Sequence, residues 1–524
     1  MSSGREANNI HDPIKFWKYL VLPTIKATDI LSLLIKATIA ICTAASISLI
    51  FFFAFSNQSL CFPQYDTVLR NFNHRKITTT TTTTTTNITT FQTTTNQFNS
   101  ERTNISHILF GIGGSAKTWN QRRHYCELWW RPDVNRGFVW LDERPPENET
   151  WPDTSPPYIA SEETSSFKYS CWYGSRSAIR IARIVKESFE LGLENVRWFV
   201  MGDDDTVFFT DNLVTVLAKY DHNQMYYIGG NSESVEQDVR HSYTMAYGGG
   251  GFAISYPLAA ELVRVLDGCI NRYHSFYGSD QKVQGCLSEI GVPISKELGF
   301  HQMDIRGDPY GLLAAHPLAP LVSLHHLDYV KPLFPNLTRK DSLRKLYGAY
   351  ETDTGRALQH SFCYDLLRNW SISVSWGYTV QLYPSLMTAK QLETALLTFR
   401  SWRTWSKEPF TFNTRSLSSN PCERPIMYFL DRVEKDDTGR TLTTYKRHKD
   451  ESIKDCDRVD YAAALAIRSF NVSATHYDRE LWNKAPRRQC CEVMNGSDVV
   501  DGVIQLQIRG CTSFESVTPP LNIW

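Results

Sequence analysis

The sequence predicts an α/β fold with a mixed central sheet, followed by a smaller disulfide-braced α+β domain and preceded by a single transmembrane helix. Three observations carry that reading. Strand-like, turn and helix-like segments alternate from His107 onward. From about Glu351 the composition shifts, and Cys363, Cys422, Cys456, Cys490, Cys491 and Cys511 gather there. Ala37 to Phe55 reads ATIAICTAASISLIFFFAF, nineteen uncharged residues, enough for a helix to span a bilayer.

The chain has 524 residues, too many for one compact domain. Its formal net charge is zero, which argues against a nucleic-acid partner, since such binders need a basic face. Aromatic residues make up 13% of the chain, and such rings either fill cores or stack on sugars. Of 12 cysteines, eleven lie beyond Cys42, which fits disulfides in an oxidising compartment with at least one thiol left over.

Arg5, Lys15, Lys18, Lys26 and Lys36 precede the apolar run, and only Arg70 follows nearby. The positive-inside rule then places a tail, 1–36, in the cytosol, a retained signal anchor at 37–55, and the rest in a lumen. The leader is too long for a typical cleaved signal peptide. Residues 56–104 contain ITTTTTTTTTNITTFQTTTNQ, which reads as a disordered and O-glycosylated stem. Asn-x-Ser/Thr acceptors stand at Asn57, Asn87, Asn104, Asn148, Asn336, Asn369, Asn471 and Asn495. This is the layout of a Golgi type II membrane enzyme; a surface receptor of the same topology is the other reading. The expected globular parts are an α/β domain at 105–347 and an extension at 348–524.

In the α/β part, HILFGIGG reads as a buried strand ending at Gly113 and Gly114. SAKTWNQRRHYCELWW has helical character, and GFVWLDE reads as a second strand. This is how a nucleotide-binding sheet begins, and ligands on such sheets gather at the carboxyl ends of strands. Gly113 would face the site, with Arg122 and Arg123 in reach of a diphosphate or simply on the surface. SAIRIARIVKESFELG is an amphipathic helix leading into the strand RWFVM and then Asp203, Asp204 and Asp205. Three adjacent carboxylates require countercharge, which a hard divalent cation supplies. In extended backbone Asp203 and Asp205 share one side and Asp204 faces the other, so the pattern reads as an Asp-x-Asp clamp. The bland alternative is an acidic turn capping the helix TDNLVTVLAKY.

Further on, Gly248 to Gly251 allow close approach to a ligand, or form a flexible turn. Asp280 precedes a helical pattern and reads as an N-cap or as a general base. His301 follows the strand-like ISKELGF and is structural or a metal ligand. In the extension, SISVSWGYTVQLYP and VDGVIQLQIRGCTSF read as strands and TAKQLETALLTFRSW as a helix, giving an α+β or sandwich-like domain. Trp370, Trp376, Trp402 and Trp405 fill its core or stack on sugars.

Taken in order, WFVMGDDDTVFF, YGGGGFAIS, GSDQKVQGCLSEIGVP and GFHQMD resemble the Fringe-related inverting β-1,3-glycosyltransferases. The plant Fringe-like group, with its long C-terminal extension of unknown function, is the nearest in pattern. The resemblance covers about His107 to Tyr347. It implies a GT-A-type fold, a UDP-sugar donor and Mn²⁺, with Mg²⁺ as the alternative ion. By position it implies metal ligation by Asp205 and His301, with Asp203 the further candidate ligand from the Asp-x-Asp alternation. It puts Asp204 and the glycine run with Gly249 and Gly250 at the donor and makes Asp280 the catalytic base, while Gly113 and Arg123 are donor-side candidates by their place at the end of the first strand and on the helix after it. The implied reaction moves a hexose to a glycan or glycoprotein acceptor with inversion, forming a β-1,3-type linkage. Where the family has Gly-Gly-Ala-Gly this chain has four glycines, and where it often has two acidic residues this chain has Ser279 and Asp280. A catalytically silent lectin or chaperone on the same fold is the alternative.

Overall fold

The computed structural model describes residues 36–48, 102–148, 150–407, 409–449, 456–494 and 501–519. The chain divides into two units, Met1–Arg70 and Asn71–Trp524. In the first, residues 36–48 are helical and exposed. Among the described residues no helix is long and apolar enough to cross a membrane, so the structure does not support the expected transmembrane helix. The remainder of 37–55, the tail before residue 36 and the stem up to residue 101 lie outside the described residues.

The second unit opens with β1 (Ile108–Gly113), α1 (Trp119–Trp129), β2 (Arg136–Leu141), β3 (Tyr158–Ala160), α2 (Ser177–Glu190) and β4 (Trp198–Asp203). Then come β5 (Val207–Phe208), α3 (Thr210–Leu217), β6 (Tyr227–Gly229), α4 (Val235–Arg240), β7 (Phe252–Ser255), α5 (Tyr256–Arg272), α6 (Ser279–Ile290) and β8 (Ile294–Lys296). Seven of these strands form one mixed sheet in the order β3-β2-β1-β4-β7-β6-β8. β1 is buried along its whole length, as its unbroken apolar run requires in the middle of a covered sheet. On one face α2, α5 and α6 bury Ile179, Leu258, Leu262 and Leu287 against Leu109, Phe199 and Ile254. The Cys269–Cys286 disulfide joins α5 to α6.

A second, smaller sheet places the site. It consists of β5, β9 (Phe300–His301) and β11 (Ser323–Leu324), in the order β5-β11-β9. β10 (Ile305–Gly307) and α7 (Tyr310–Ala314) lie between β9 and β11 in sequence. α8 (Arg339–Thr352) follows and contains the expected domain boundary at 347/348.

The strands of the extension close into a barrel, where the sequence reading expected an α+β or sandwich-like domain. Its strands are β12 (His360–Asp365), β13 (Trp370–Ser375), β14 (Thr379–Tyr383), β18 (Ile426–Lys435), β19 (Thr441–Arg447), β20 (Ser469–Ala474), β22 (Val503–Arg509) and β21 (Cys490–Met494) in barrel order. Outside it run β15 (Ala395–Leu397), β16 (Phe399–Ser401) and β17 (Thr414–Ser416). The expected helix over 388–402 shortens to Ala389–Glu393, because ALLTFRS is taken up by pairing with β17 and β10. β19 and β20 alternate buried and more exposed positions, as barrel strands facing a core on one side must. β13 and β14 are buried on both faces. Their outer face meets the α/β part: Ser375 Oγ donates to Leu313 O (3.1 Å), and Tyr378 Oη donates to Leu333 O (3.0 Å).

One core therefore runs from Ile108 in β1 through Leu324 and Trp376 to Ile508 in β22. The six extension cysteines pair as Cys363–Cys491, Cys422–Cys456 and Cys490–Cys511, the bracing the sequence predicts. A shared core predicts one cooperative calorimetric transition for the α/β part and barrel together. Tyr378→Phe strands the buried Leu333 carbonyl and lowers stability by about 1–3 kcal/mol without splitting that transition. Two separated transitions would contradict the shared core.

Candidate functional site

The site begins at the turn that ends β4. The β1–β4 register sets Gly113 beside Asp203, and Asp204 N donates to Gly113 O (2.9 Å). Thr206 closes the turn: its N donates to Asp203 O (3.0 Å), and its Oγ1 accepts from Asp203 N (2.8 Å) and donates to Gly249 O (2.7 Å). α1 seals the outer side, with Trp129 Nε1 donating to Thr206 O (3.1 Å).

The three carboxylates then diverge, as the alternation predicts. Asp204 turns to Arg122, whose Nη1 donates to its Oδ1 (2.8 Å) and lies 3.5 Å from Asp205 Oδ2. Asp205 Oδ1 and Asp203 Oδ2 lie 3.0 and 3.8 Å from His325 Nε2. Asp203, Asp205 and His325 bring three ligand atoms within 4.8 Å of one another. Asp205 and His325 are buried, while the Asp203 side chain is 35% exposed and leaves the cluster open on one side. The other grouping of this kind among the described residues, Cys490, Cys511 and Glu515, contains a disulfide.

His301 does not join the aspartates. In the small sheet, β11 runs antiparallel to β5, pairing Leu324 with Val207, and parallel to β9, pairing Leu324 with His301. His325 thus follows the strand next to the aspartate turn, and His301 sits one strand further out, about 4.8 Å more distant per strand spacing. His301 instead places Nδ1 3.2 Å from Glu233 Oε1 and Nε2 3.0 Å from His316 Nε2. Its ring nitrogens are thus occupied by Glu233 and His316, and the imidazole that does stand beside the aspartates, His325, is one the sequence reading missed. His325 follows the short apolar stretch LVSL much as His301 follows ISKELGF, so nothing local sets one above the other.

Charges within the cluster act on one another. Burial opposes charge on His325, but the adjacent Asp205 carboxylate outweighs it and lifts the imidazole to about 9. Burial also pushes Asp205 up, and the His325 charge overrides that and holds it well below the usual carboxylate range. For Asp203 burial prevails over the more distant His325 charge and lifts it to about 7. With Arg122 and a protonated His325 set against three ionised carboxylates, one negative charge is left over, which a divalent ion replacing the His325 proton would neutralise. Two carboxylate oxygens and one imidazole nitrogen suit Mn²⁺, and Mg²⁺ less well because it prefers oxygen.

The predicted donor-binding glycines have specific tasks. A Cβ on Gly249 would lie 2.0 Å from His325 Cε1, so only glycine admits that ring. Gly250 N donates to Gln302 Oε1 (2.6 Å), and Gly251 adopts φ +83°, a left-handed conformation that suits glycine. Gly248 N donates to Asp280 Oδ2 (3.3 Å). Gly113 packs near Asp203, whereas Arg123 pairs with Glu127 one turn along α1 (2.9 Å), away from the aspartates.

Asp280 stands in the first turn of α6, where it accepts from Gln281 N (2.8 Å). It lines one small cavity together with Asp203, Gly111, Gly248 and Ser279. Burial raises its pKa, opposed chiefly by the charge of His241. The structure thus brings the predicted base to the face of the predicted clamp.

Metal titrations separate the two histidines. Calorimetry with Mn²⁺ is expected to show His325→Ala weakening binding by about 10²-fold or more, and His301→Ala changing it by less than about threefold. Because the ion must displace a proton from His325, affinity rises about tenfold per pH unit between 7 and 9 and levels off above 9. A pH-independent affinity would contradict the ligand assignment.

Comparison with known proteins adds the following. The Fringe-like family model matches residues 151–303, and the model described as a protein of unknown function, DUF604, matches residues 237–491. No curated protein matches the chain. Among solved structures, the catalytic domain of Drosophila β1,4-galactosyltransferase 7, in complex with xylobiose, is similar at 10% identity and a TM-score of 0.21. That similarity covers 36% of this chain and 64% of the domain, and at this score it carries no argument. The Fringe-like segment contains Asp203, Asp204, Asp205, Asp280 and His301, and the DUF604 segment contains His325 and most of the barrel. The resemblance read from the motifs thus meets a family-model match: one segment of the chain matches the Fringe-like model, and an overlapping segment that runs on into the barrel matches DUF604.

Proposed function

We propose that this chain is a glycosyltransferase that moves a hexose from a UDP-sugar to a hydroxyl of a glycan or glycoprotein, with inversion and a β-1,3-type linkage. The observation that carries the reading is the convergence of Asp203, Asp205 and His325 on one cluster, with Asp280 across the same cavity. Asp203, Asp205 and His325 would hold Mn²⁺, which when bound supplies positive charge to the donor diphosphate and its developing negative charge. Arg122 holds Asp204, and its charge adds to that of His325 in keeping Asp205 ionised. Asp280 accepts the acceptor's proton at a carboxylate oxygen, and its ionised form is supported by the amides of Gly248 and Gln281. A single displacement needs only this one base.

We further propose a type II Golgi protein with its catalytic part in the lumen. The uncharged run with its basic leader supports the topology, and the four disulfides support an oxidising compartment.

A UDP-release assay over a panel of UDP-sugars, with and without Mn²⁺, tests the reading. Asp280→Asn should retain UDP binding and lower transfer by about 10²–10⁴-fold. Since the folded pKa of Asp280 lies above its ordinary value, wild-type transfer should fall on the acid side at a pH above that of a solvent-exposed aspartate. Wild-type rates in Asp280→Asn would remove the base; no turnover with any donor would favour the silent-lectin alternative.

A further inference from the structure

The barrel extension reaches back to the candidate site through one loop. β16 pairs with β10, Ile305 opposite Ser401, and this sets the following residues, Trp402 to Ser406, over Arg306 and His326. Trp402 stacks on His326 with centroids 4.4 Å apart and planes 5° apart, and His326 lies 3.9 Å from the ring of His325. The Arg306 guanidinium sits 4.0 Å from the Trp402 ring, 4.7 Å from Tyr329 and 5.6 Å from Trp405. His325, His326, Trp402 and Arg306 therefore form a continuous stack leading outward from the metal cluster.

At the outer end of that stack, the rings are not buried. Trp405 is 55% exposed and Tyr329 is 42% exposed. Trp405 also holds φ +56°, a left-handed conformation rare for an aromatic residue and maintained at a cost. Ser401 N donates to Ser406 O (2.9 Å), and the Ser401 and Thr404 hydroxyls lie 3.0 Å apart, closing the loop around it. The Glu236 carboxylate accepts from Arg403 N (2.8 Å) and from Thr404 Oγ1 (2.8 Å), which ties the loop to the first turn of α4. The far end of α4, about 9 Å away for six residues, carries the link to the base. There His241 packs 5.5 Å from Tyr277, and its carbonyl accepts from Gln281 Nε2 (3.5 Å), the residue next to Asp280. The aromatic loop is thus tied to the Asp280 side of the site, where an acceptor must approach.

We propose that Trp405 and Tyr329 stack on a pyranose ring of the acceptor glycan, with Trp402 and Arg306 as positioning residues. The proposal rests on the sugar-transfer reading above. Exposed, rigidly held aromatic faces suit the apolar face of a pyranose, while Arg306 meets its hydroxyls. In this account the extension supplies acceptor recognition to a site whose metal cluster and base come from the α/β part.

The test uses the full lumenal chain with Mn²⁺ and UDP present. The probes are methyl β-D-galactopyranoside, methyl β-D-glucopyranoside and methyl 2-acetamido-2-deoxy-β-D-glucopyranoside, read by saturation-transfer NMR. At least one probe should show transfer to its ring protons. Trp405→Ala should reduce that signal about fivefold and Trp405→Phe should largely restore it, with UDP–Mn²⁺ affinity unchanged in both. An unchanged sugar signal in Trp405→Ala overturns the proposal, as does the absence of signal from every probe with the wild-type chain. A fall in UDP affinity with the sugar signal intact also overturns it and assigns the ring to the nucleobase. Loss of UDP–Mn²⁺ binding in the wild-type chain, with a Trp405-dependent sugar signal retained, removes the transferase reading and leaves the platform standing.

Discussion

The contact between Asp205 and His325 is the constraint on which the site depends. It joins residues 120 positions apart, and two short strands bring them together. β11 lies between β5 and β9, so the residue leaving β11 meets the aspartate turn and the residue leaving β9 does not. Everything near the contact is shaped to admit it. Gly249 has no Cβ because the His325 ring occupies that space, and Thr206 pins the turn to the Gly249 carbonyl. Arg122 draws Asp204 aside, which leaves Asp203 and Asp205 to face the imidazole.

The same strand order explains why the extension is more than an appendage. β13 and β14 are buried on both faces: Ile372, Val374, Val380 and Leu382 make one face apolar, and the polar Ser373, Ser375, Thr379 and Gln381 make the other, where Ser375 and the adjoining Tyr378 bond to α7 and the segment around Leu333. Burying both faces fixes the barrel on the α/β part. Only then can the β16–β10 pairing carry Trp402 to His326 with stacking precision of a few ångströms. The disulfides that brace the barrel constrain its unfolded state and support this arrangement from outside the core.

What was legible in the sequence was local. β1 and β4 are continuous apolar runs that end abruptly in polar turns, and α2 has a clear helical stripe, so each appears where its pattern places it. The two-sidedness of the aspartate triplet follows from strand alternation, and the structure separates Asp204 from its neighbours accordingly. What was not legible depends on pairing between distant segments. No local pattern distinguishes His301 from His325; the β5-β11-β9 order does. The role of Gly249 depends on a ring more than seventy residues away. Barrel closure relies on the parallel pairings β20–β22 and β12–β21, and the helical look of TAKQLETALLTFRSW yields to strand pairing after Glu393. Arg123, plausible by its position on α1, pairs with Glu127 on its own helix instead.

The account turns on a divalent ion held by Asp203, Asp205 and His325. The most direct measurement is anomalous diffraction at the manganese edge from crystals grown with Mn²⁺ and UDP. The account predicts one strong peak within coordination distance of Asp205 and His325, with the UDP diphosphate against it. A peak at His301 and Glu233, or ordered UDP with no manganese at the aspartates, would contradict it.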